Sequence, residues 1–302
     1  MTVRSATVGA DWFLNGLAEL QARELKTQKE LSSGTRVSTA ADDPAAAGAL
    51  LRLGPELAAA ETYQANLGKV QAEVSAGDSA IGSAINLVQT AQSIASRGAS
   101  STTTAAERQS FAGQVQTLEQ QLVALADTQS GGRYIFGGDA DETAPYQYNA
   151  ASSNGADGAG LPLVTTQTIV NPDGVTVFQP LTAQTIFDSP SGANAFGALK
   201  NLTDALAAND PAAVGNALGA LGDVSDALNR QQVYYGAAGD RLAAEQTAVT
   251  GQITNLKTEI SGLSDADITQ DATDLAAEST AQQAALAAQA AIPRKSLFDY
   301  LG

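Results

Sequence analysis

Asp265-x-Asp267-x-Thr269 and Asp139-x-Asp141-x-Thr143 space oxygen donors as a calcium-binding loop does at its opening. Such a loop also needs a glycine at its sharp turn and a bidentate Glu at its end. The first stretch offers Gln270 and Ala276 there, the second Ala144 and Ala150. Both are therefore read as helix caps and solvated turns. Asn201-Leu-Thr203 spells a glycosylation triplet but falls in a predicted helix. No glycine-rich phosphate loop ends in Lys-Ser or Lys-Thr, and no G-x-S-x-G elbow occurs. With no Cys and no His, the chain has no thiolate nucleophile, imidazole base, His- or Cys-ligated zinc, or disulfide. Carboxylates, Lys, Ser/Thr and hard metals are the chemistry left, and nothing in the sequence gathers two carboxylates around a pocket. No catalytic constellation, metal or cofactor is expected.

The charge balance narrows the partners. Sixteen Lys+Arg against 32 Asp+Glu leave a formal charge of −16. That sign repels nucleic-acid phosphates and anionic lipid headgroups, so neither nucleic acid nor membrane is expected as a partner. Hydrophobic residues make up 44% of the chain but aromatics only 5%, so small side chains carry most of the apolar content. Those supply little area each, a composition suited to long, closely packed helices more than to a thick globular core. No run approaches the ~18 apolar residues of a membrane span. The opening Met1 to Leu17 lacks the ~7–15-residue apolar core of a secretory signal, which predicts a cytosolic chain or export without a cleaved signal.

The elements follow from periodicity. From Leu50 a stripe steps by threes and fours through Leu53, Leu57, Ala60, Gln64, Leu67, Gln71, Val74, Asp78, Ile81, Ile85, Val88, Gln92 and Ala95. A stripe sustained over that many turns predicts a coiled-coil-like helix roughly 70 Å long. Asp43 and Pro44 predict its N-cap and first position. Gly54-Pro55, inside the stripe, predicts a kink or brief break. Thr104-Ala-Ala-Glu107 spells a capping box for a second helix with the seam Phe111, Val115, Leu118, Leu122 and Leu125, ending near Ser130-Gly131-Gly132.

Residues 133–190 change texture, with Gly, Pro, Asn and Asp around the β-prone runs Tyr134–Phe136, Leu163–Thr166 and Val175–Phe178. Asn171-Pro-Asp-Gly174 predicts a turn. Helix returns at about 193–208. Asp210-Pro211 then repeats the Asp-Pro start, ahead of a second long stripe from Val214 to Leu263. Ser264-Asp-Ala-Asp267 reads as a capping box opening a last helix to about Ala291. A weaker stripe, Leu14, Leu17, Gln21, Leu25, Gln28 and Leu31, marks the opening segment. Two readings of the terminal helices stay open: they pair within one monomer, or they order only against neighbouring subunits.

Leu31-Ser-Ser-Gly-Thr-Arg-Val-Ser-Thr-Ala-Ala-Asp-Asp-Pro-Ala-Ala-Ala47 resembles the signature that follows the first helix in bacterial flagellins and their hook-associated relatives. The Asp42-Asp43-Pro44 form is more similar to the hook-associated branch than to filament flagellin. Gly132-Arg133-Tyr134-Ile135-Phe136-Gly137-Gly138, with Thr143-Ala-Pro145-Tyr146 after it, is similar to the family motif where the helical arm enters its β domain. Ser264-Asp-Ala-Asp267 and Ser296-Leu-Phe-Asp-Tyr-Leu301 resemble the family's C-terminal helix and its end. Thr269 and Gln270 depart from the usual pattern there.

The resemblance implies a mainly α fold: a long, coiled-coil-like, flagellin-like helical arm with a small β-rich inserted domain. It implies terminal assembly segments at 1–42 and 264–302, a long-helix bundle at 43–140 and 191–263, and a surface insertion at 141–190. The function implied is a structural subunit joining hook to filament, with filament flagellin as the alternative. A carboxylate-using enzyme or a binding module on the insertion is the rival from another class. Expected partners are copies of the same chain in a ring or tube, neighbouring hook-associated and flagellin subunits, an export chaperone and the type III export apparatus. The expected location is the extracellular flagellum. On the terminal helices the resemblance points to Leu14, Leu17, Leu25, Leu31, Leu275, Leu286, Leu297, Phe298 and Leu301 as assembly contacts. It assigns Ser33, Gly34, Arg36, Asp42, Asp43 and Pro44 to the motif loop, and Gly132, Arg133, Tyr134, Phe136 and Gly137 to the domain junction.

Overall fold

The computed structural model describes residues 3–158, 162–189 and 192–291. The helices are α1 (Val3–Ser33), α2 (Pro44–Gly98), α3 (Ala105–Ala126), α4 (Ala183–Phe187), α5 (Ala195–Ala207), α6 (Pro211–Ser264) and α7 (Ile268–Ala291). Between α3 and α4 lie six short strands: β1 (Gln129–Ser130), β2 (Arg133–Tyr134), β3 (Tyr146–Tyr148), β4 (Ala156–Gly158), β5 (Ile169–Val170) and β6 (Thr176–Phe178). The fold is mainly α with a small β region in the middle, as the periodicity and the texture change imply.

The helix starts are local chemistry. Asp43 Oδ1 accepts from the amides of Ala45 (3.1 Å) and Ala46 (3.0 Å), and Asp210 Oδ1 from those of Ala212 (2.9 Å) and Ala213 (3.0 Å). Thr104 and Glu107 form a complete capping box on α3. One expectation is narrowed and one corrected. Of the kink or break expected at Gly54-Pro55, the break is absent: helix α2 runs unbroken through Pro55. Pro55 and Leu51 are both exposed, so the carbonyl that loses its donor there can turn to water. Helix α7 is capped by Asp267, whose Oδ1 accepts from Thr269 (3.0 Å) and Gln270 (3.1 Å), because Ser264 is still the last residue of α6.

By packing, the chain divides into two compact units, 1–61 with 251–302, and 62–250. The borders fall within α2 and α6, whereas sequence texture changes at 42/43 and 263/264. In the 62–250 unit α2 lies against α6: Gln64 Nε2 donates to Thr250 Oγ1 (2.8 Å) and Gln92 Nε2 to the Leu221 carbonyl (3.1 Å). Both predicted stripes face inward. Leu67, Val74, Ile81, Val88, Leu221, Val224, Leu228 and Leu242 are all buried. Tyr235 packs where α2 has only Gly77, and a Cβ on Gly77 would stand 2.5 Å from the Tyr235 ring.

On α3 the inward line is Arg108, Ala112, Val115, Glu119, Leu122 and Ala126. Phe111, Leu118 and Leu125 of the expected seam are only half-buried beside it. The buried Arg108 guanidinium donates to the carbonyls of Gly98 (2.7 Å) and Ser100 (2.7 Å) and to Asn209 Oδ1 (2.6 Å). It thereby satisfies the C-terminal end of α2 and ties it to the turn between α5 and α6.

The strands form three two-stranded antiparallel ribbons: β1–β2, β3–β4 and β5–β6. Strand structure begins at Gln129, ahead of the expected insertion border at 141. Two glycines with positive φ, Gly131 (58°) and Gly132 (82°), turn β1 into β2. The expected turn Asn171–Gly174 is present, with Gly174 at φ 81°. Leu163–Thr166 is not a strand. Its backbone instead braces Asp139, whose amide donates to Val164 O (2.9 Å) and whose Oδ1 accepts from Thr166 N (2.9 Å). Ribbons this short are marginal alone and hold by packing on the helices.

Candidate assembly surface

The motif loop joins α1 to α2 and clasps the α6–α7 turn. The amides of Arg36 (2.7 Å) and Val37 (3.3 Å) donate to the Ser264 carbonyl, and Ala266 N donates back to Gly34 O (3.1 Å). Gly34 sits at φ 69°, a conformation that favours glycine. The Arg36 guanidinium donates to Leu263 O (2.8 Å) and pairs with Asp43 (3.2 Å). One oxygen of Asp42 accepts from the amides and hydroxyls of both Ser38 and Thr39, at 2.8–3.0 Å. Those donors, the Thr39 amide foremost, hold the Asp42 carboxyl well below the usual carboxylate range. The Ala46 amide and then Arg36 lower Asp43 likewise, and the Ser261 and Ser264 hydroxyls lower Asp265. Ser33 Oγ accepts from the Thr35 amide (3.2 Å), and Pro44 opens α2. All six motif residues thus shape one turn, which brings the end of α1 to the start of α7.

Helices α1 and α7 then pack on each other. The more sheltered line of α1 is Phe13, Leu17, Leu20, Glu24, Thr27 and Leu31, and that of α7 is Asp271, Leu275, Glu278, Gln282 and Ala285. The expected stripe of α1 is corrected here. Leu17 and Leu31 belong to the sheltered line and Leu275 to its counterpart, but Leu14 (59% exposed) and Leu25 (67%) point outward. Turning this way shelters Phe13 and Leu20 and leaves the Gln21 and Gln28 amides in water. Leu286 is 49% exposed. Leu297, Phe298 and Leu301 lie outside the described residues.

The seam between the two helices is poorly satisfied. Glu30, Asp271 and Glu278 each bury a carboxylate oxygen without a hydrogen-bond partner among the described residues, and Lys26 stands 3.7 Å from Glu30. Lys26 thus serves the Glu30 oxygen, and those of Asp271 and Glu278 are left without a partner among the described residues.

The domain-junction residues lie in the 62–250 unit. Phe136 is fully buried, edge-on to Phe187 (5.9 Å) and Tyr235 (6.2 Å), and its carbonyl accepts from Ala183 N (2.8 Å). Arg133 pairs with Asp141 (2.9 Å), Tyr134 N donates to Asp141 O (2.8 Å), and Gly137 N donates to Tyr134 O (3.0 Å). Gly132 supplies the β1–β2 turn. At Gly138 (φ 64°) a Cβ would come within 2.2 Å of Val164 O. Beside this motif Tyr146 stacks on Phe196 (4.7 Å) and donates to Asp188 (3.1 Å), and burial pushes the Asp188 carboxyl up. Phe136, Phe187, Phe196 and Tyr146 thus fill a core, whereas Arg133 and Tyr134 line an open recess at its edge with Glu73 and Asp141.

Sequence reasoning missed several contributors. Arg108 and Glu119 sit at helix positions that look solvated. Thr203 of the glycosylation triplet instead gives its hydroxyl to the buried Glu119 (2.5 Å). Trp12 (81% exposed) and Leu51 (78%) also escaped notice. A lone tryptophan was the available signal for the first; outward orientation of Leu51 is not written in any spacing. Among the described residues, no group of three or more His, Cys, Asp or Glu is placed to hold a metal, and no helix is long and apolar enough to cross a membrane.

Two family models match the chain: the bacterial flagellin N-terminal helical region over residues 11–141 and the bacterial flagellin C-terminal helical region over residues 218–301. Flagellar hook-associated protein 3 of Salmonella typhimurium is 27% identical over 207 residues, covering 67% of this chain and 65% of the relative. Its Escherichia coli counterpart is 28% identical over 200 residues, covering 65% and 62%. The match thus spans a little under two thirds of each relative. Among solved structures, a Vibrio parahaemolyticus protein assigned as flagellar hook-associated superposes with a TM-score of 0.65 at 21% identity, covering 74% of this chain and all of that one. Bacillus cereus FlgL gives 0.57 at 19%, covering 70% and 99%. Both share the fold.

Proposed function

The chain belongs to the bacterial flagellin family, and from that premise we propose that it is a structural subunit of the flagellum, forming the junction between hook and filament by self-assembly of its terminal helices. The observation that carries the reading is the α1–α7 pair: Asp271 and Glu278 each bury a carboxylate oxygen that has no partner among the described residues, and Trp12, Leu14, Leu25 and Leu286 lie outside. That pair is poorly built to stand alone and well supplied with surface for neighbours. The hook-associated name of both curated relatives favours the junction over the filament proper.

On this reading the partners are copies of the chain in a ring or tube and the neighbouring hook-associated and flagellin subunits. An export chaperone and the type III export apparatus handle it before assembly outside the cell. Its role is mechanical and involves no catalysis. Immunogold labelling of intact flagella tests the assignment. A short band between hook and filament is expected; label along the whole filament would establish the filament subunit instead.

A further inference from the structure

We propose that Trp12 of one copy seats in the apolar groove beside the motif loop of a second copy. This rests on the self-assembling subunit reading above and names one of its contacts. The groove, about 390 Å³ and open to solvent, is lined by Val37, Ala40, Ala47, Leu50 and Leu51 with Ser38 and Thr39 as its polar edge. Leu51 is 78% exposed on its rim, and Trp12 is 81% exposed on α1. Tryptophan is the side chain most often found as the anchor of a protein interface, and exposing one nearly whole wastes its apolar area.

The two features cannot satisfy each other within one chain. α1 is continuous from Trp12 to Ser33, which at ~1.5 Å per residue sets the tryptophan about 30 Å from the end of the helix, beyond which the groove begins. A knob and a hole at different places on the same molecule make a head-to-tail contact, the kind that closes into a ring or extends into a tube. Charge does not oppose the contact. Asp11, next to Trp12, makes no ion pair among the described residues. At the groove Arg36 pairs with Asp43, and Ser38 Oγ joins Lys29 (2.6 Å) to Asp42 (3.0 Å), so two cations stand beside two carboxylates and leave no net negative charge to repel it. One tryptophan buries ~150–250 Å², far short of the ~800 Å² per partner of a stable pair. The contact therefore sets register in an array held by many neighbours and does not by itself make a dimer.

A chain without cysteine makes the test direct. Asn15→Cys with Gly48→Cys keeps both knob and groove, since Asn15 lies one turn from Trp12 and Gly48 has open space at its Cβ beside Ala47. Gly16→Cys with Ala40→Cys is the second pair, also at exposed positions. Flagella isolated from cells carrying each double variant are oxidised and run on non-reducing gels. A ladder of cross-linked chains from a double variant, with every single variant staying monomeric, is expected. Dimers from Asn15→Cys or Gly16→Cys alone would place two α1 helices face to face and overturn the proposal. So would monomer from both double variants in flagella that contain the chain, a result that leaves the subunit reading standing. Absence of the unaltered chain from isolated flagella would overturn that reading itself.

Discussion

Replacing Leu286 by Asp should separate folding from assembly, and Leu122→Asp sets the scale. Leu122 is fully buried between α3 and its neighbours. Truncating such a leucine costs about 2.7–5 kcal/mol, and an unpaired buried carboxylate adds several more. The sum rivals the ~5–15 kcal/mol that holds a domain together, so the 62–250 unit should unfold. Leu286 is 49% exposed on α7. Half of the ~1.5–3 kcal/mol for a fully buried leucine is about 1 kcal/mol, and it acts on the α1–α7 pair alone. The main helical melting transition of purified Leu286→Asp should therefore stay where it was, while Leu122→Asp loses it. In an assembled ring the same carboxylate is repeated in every copy against packed neighbours, where each costs several kcal/mol, and filaments should fail to attach. Circular dichroism melts of the monomer and filament counts on cells are read together. An equal fall of the melting transition in both variants would place α7 in the core of the monomer. Normal filaments on Leu286→Asp cells would remove that face from the assembly surface.

Arg108→Lys keeps the charge but not the fork that serves Gly98, Ser100 and Asn209; losing one or two charge-assisted bonds should cost about 3 kcal/mol in urea unfolding of the 62–250 unit. Gly138→Ala meets Val164 O at 2.2 Å in a positive-φ turn, so the midpoint should fall and tryptic cleavage at Arg133 should quicken. Acid should act in opposite directions on the motif loop and on the buried carboxyls of the 62–250 unit. Asp42, Asp43 and Asp265 have lowered pKa values in the fold, so the stability they contribute is present above the ordinary carboxylate pKa of ~4 and is lost as pH falls below it. Asp127, Asp188, Glu73 and Glu119 are raised by burial, so protonation in the window just above ~4 favours the folded 62–250 unit. Hydrogen exchange compared at pH 6 and pH 3, corrected for intrinsic rates, should show protection lost first in residues 34–43; simultaneous loss in both units would contradict this.

The motif loop illustrates how a site can be recognised in sequence before its purpose is legible. Ser33 to Pro44 stands out as a polar break between two seams, and the four donors that Asp42 collects are local to it, but the carbonyl that Arg36 reaches at Leu263 belongs to a segment more than two hundred residues away. The junction motif behaves alike. Its glycines announce a tight turn, yet the obstacle that demands Gly138 is the Val164 backbone, brought there by tertiary folding.

Sequence by itself determined where the long helices are and how three of them begin, because periodicity and caps act within a turn or two. The Asp43-Pro44, Thr104–Glu107 and Asp210-Pro211 starts and the inward stripes of α2 and α6 follow from that local physics. Tertiary structure alone decided which line of α1 is sheltered, since the Leu14 and Phe13 stripes share Leu17 and Leu31 and differ by little area until α7 supplies a partner. It also decided that Arg108 and Glu119 are buried on α3, that β-prone residues at 163–166 brace a turn in place of pairing, and that α2 continues through Pro55. In each case the outcome depends on what stands opposite, and a donor, an acceptor or a surface contributed from elsewhere in the chain has no local signature.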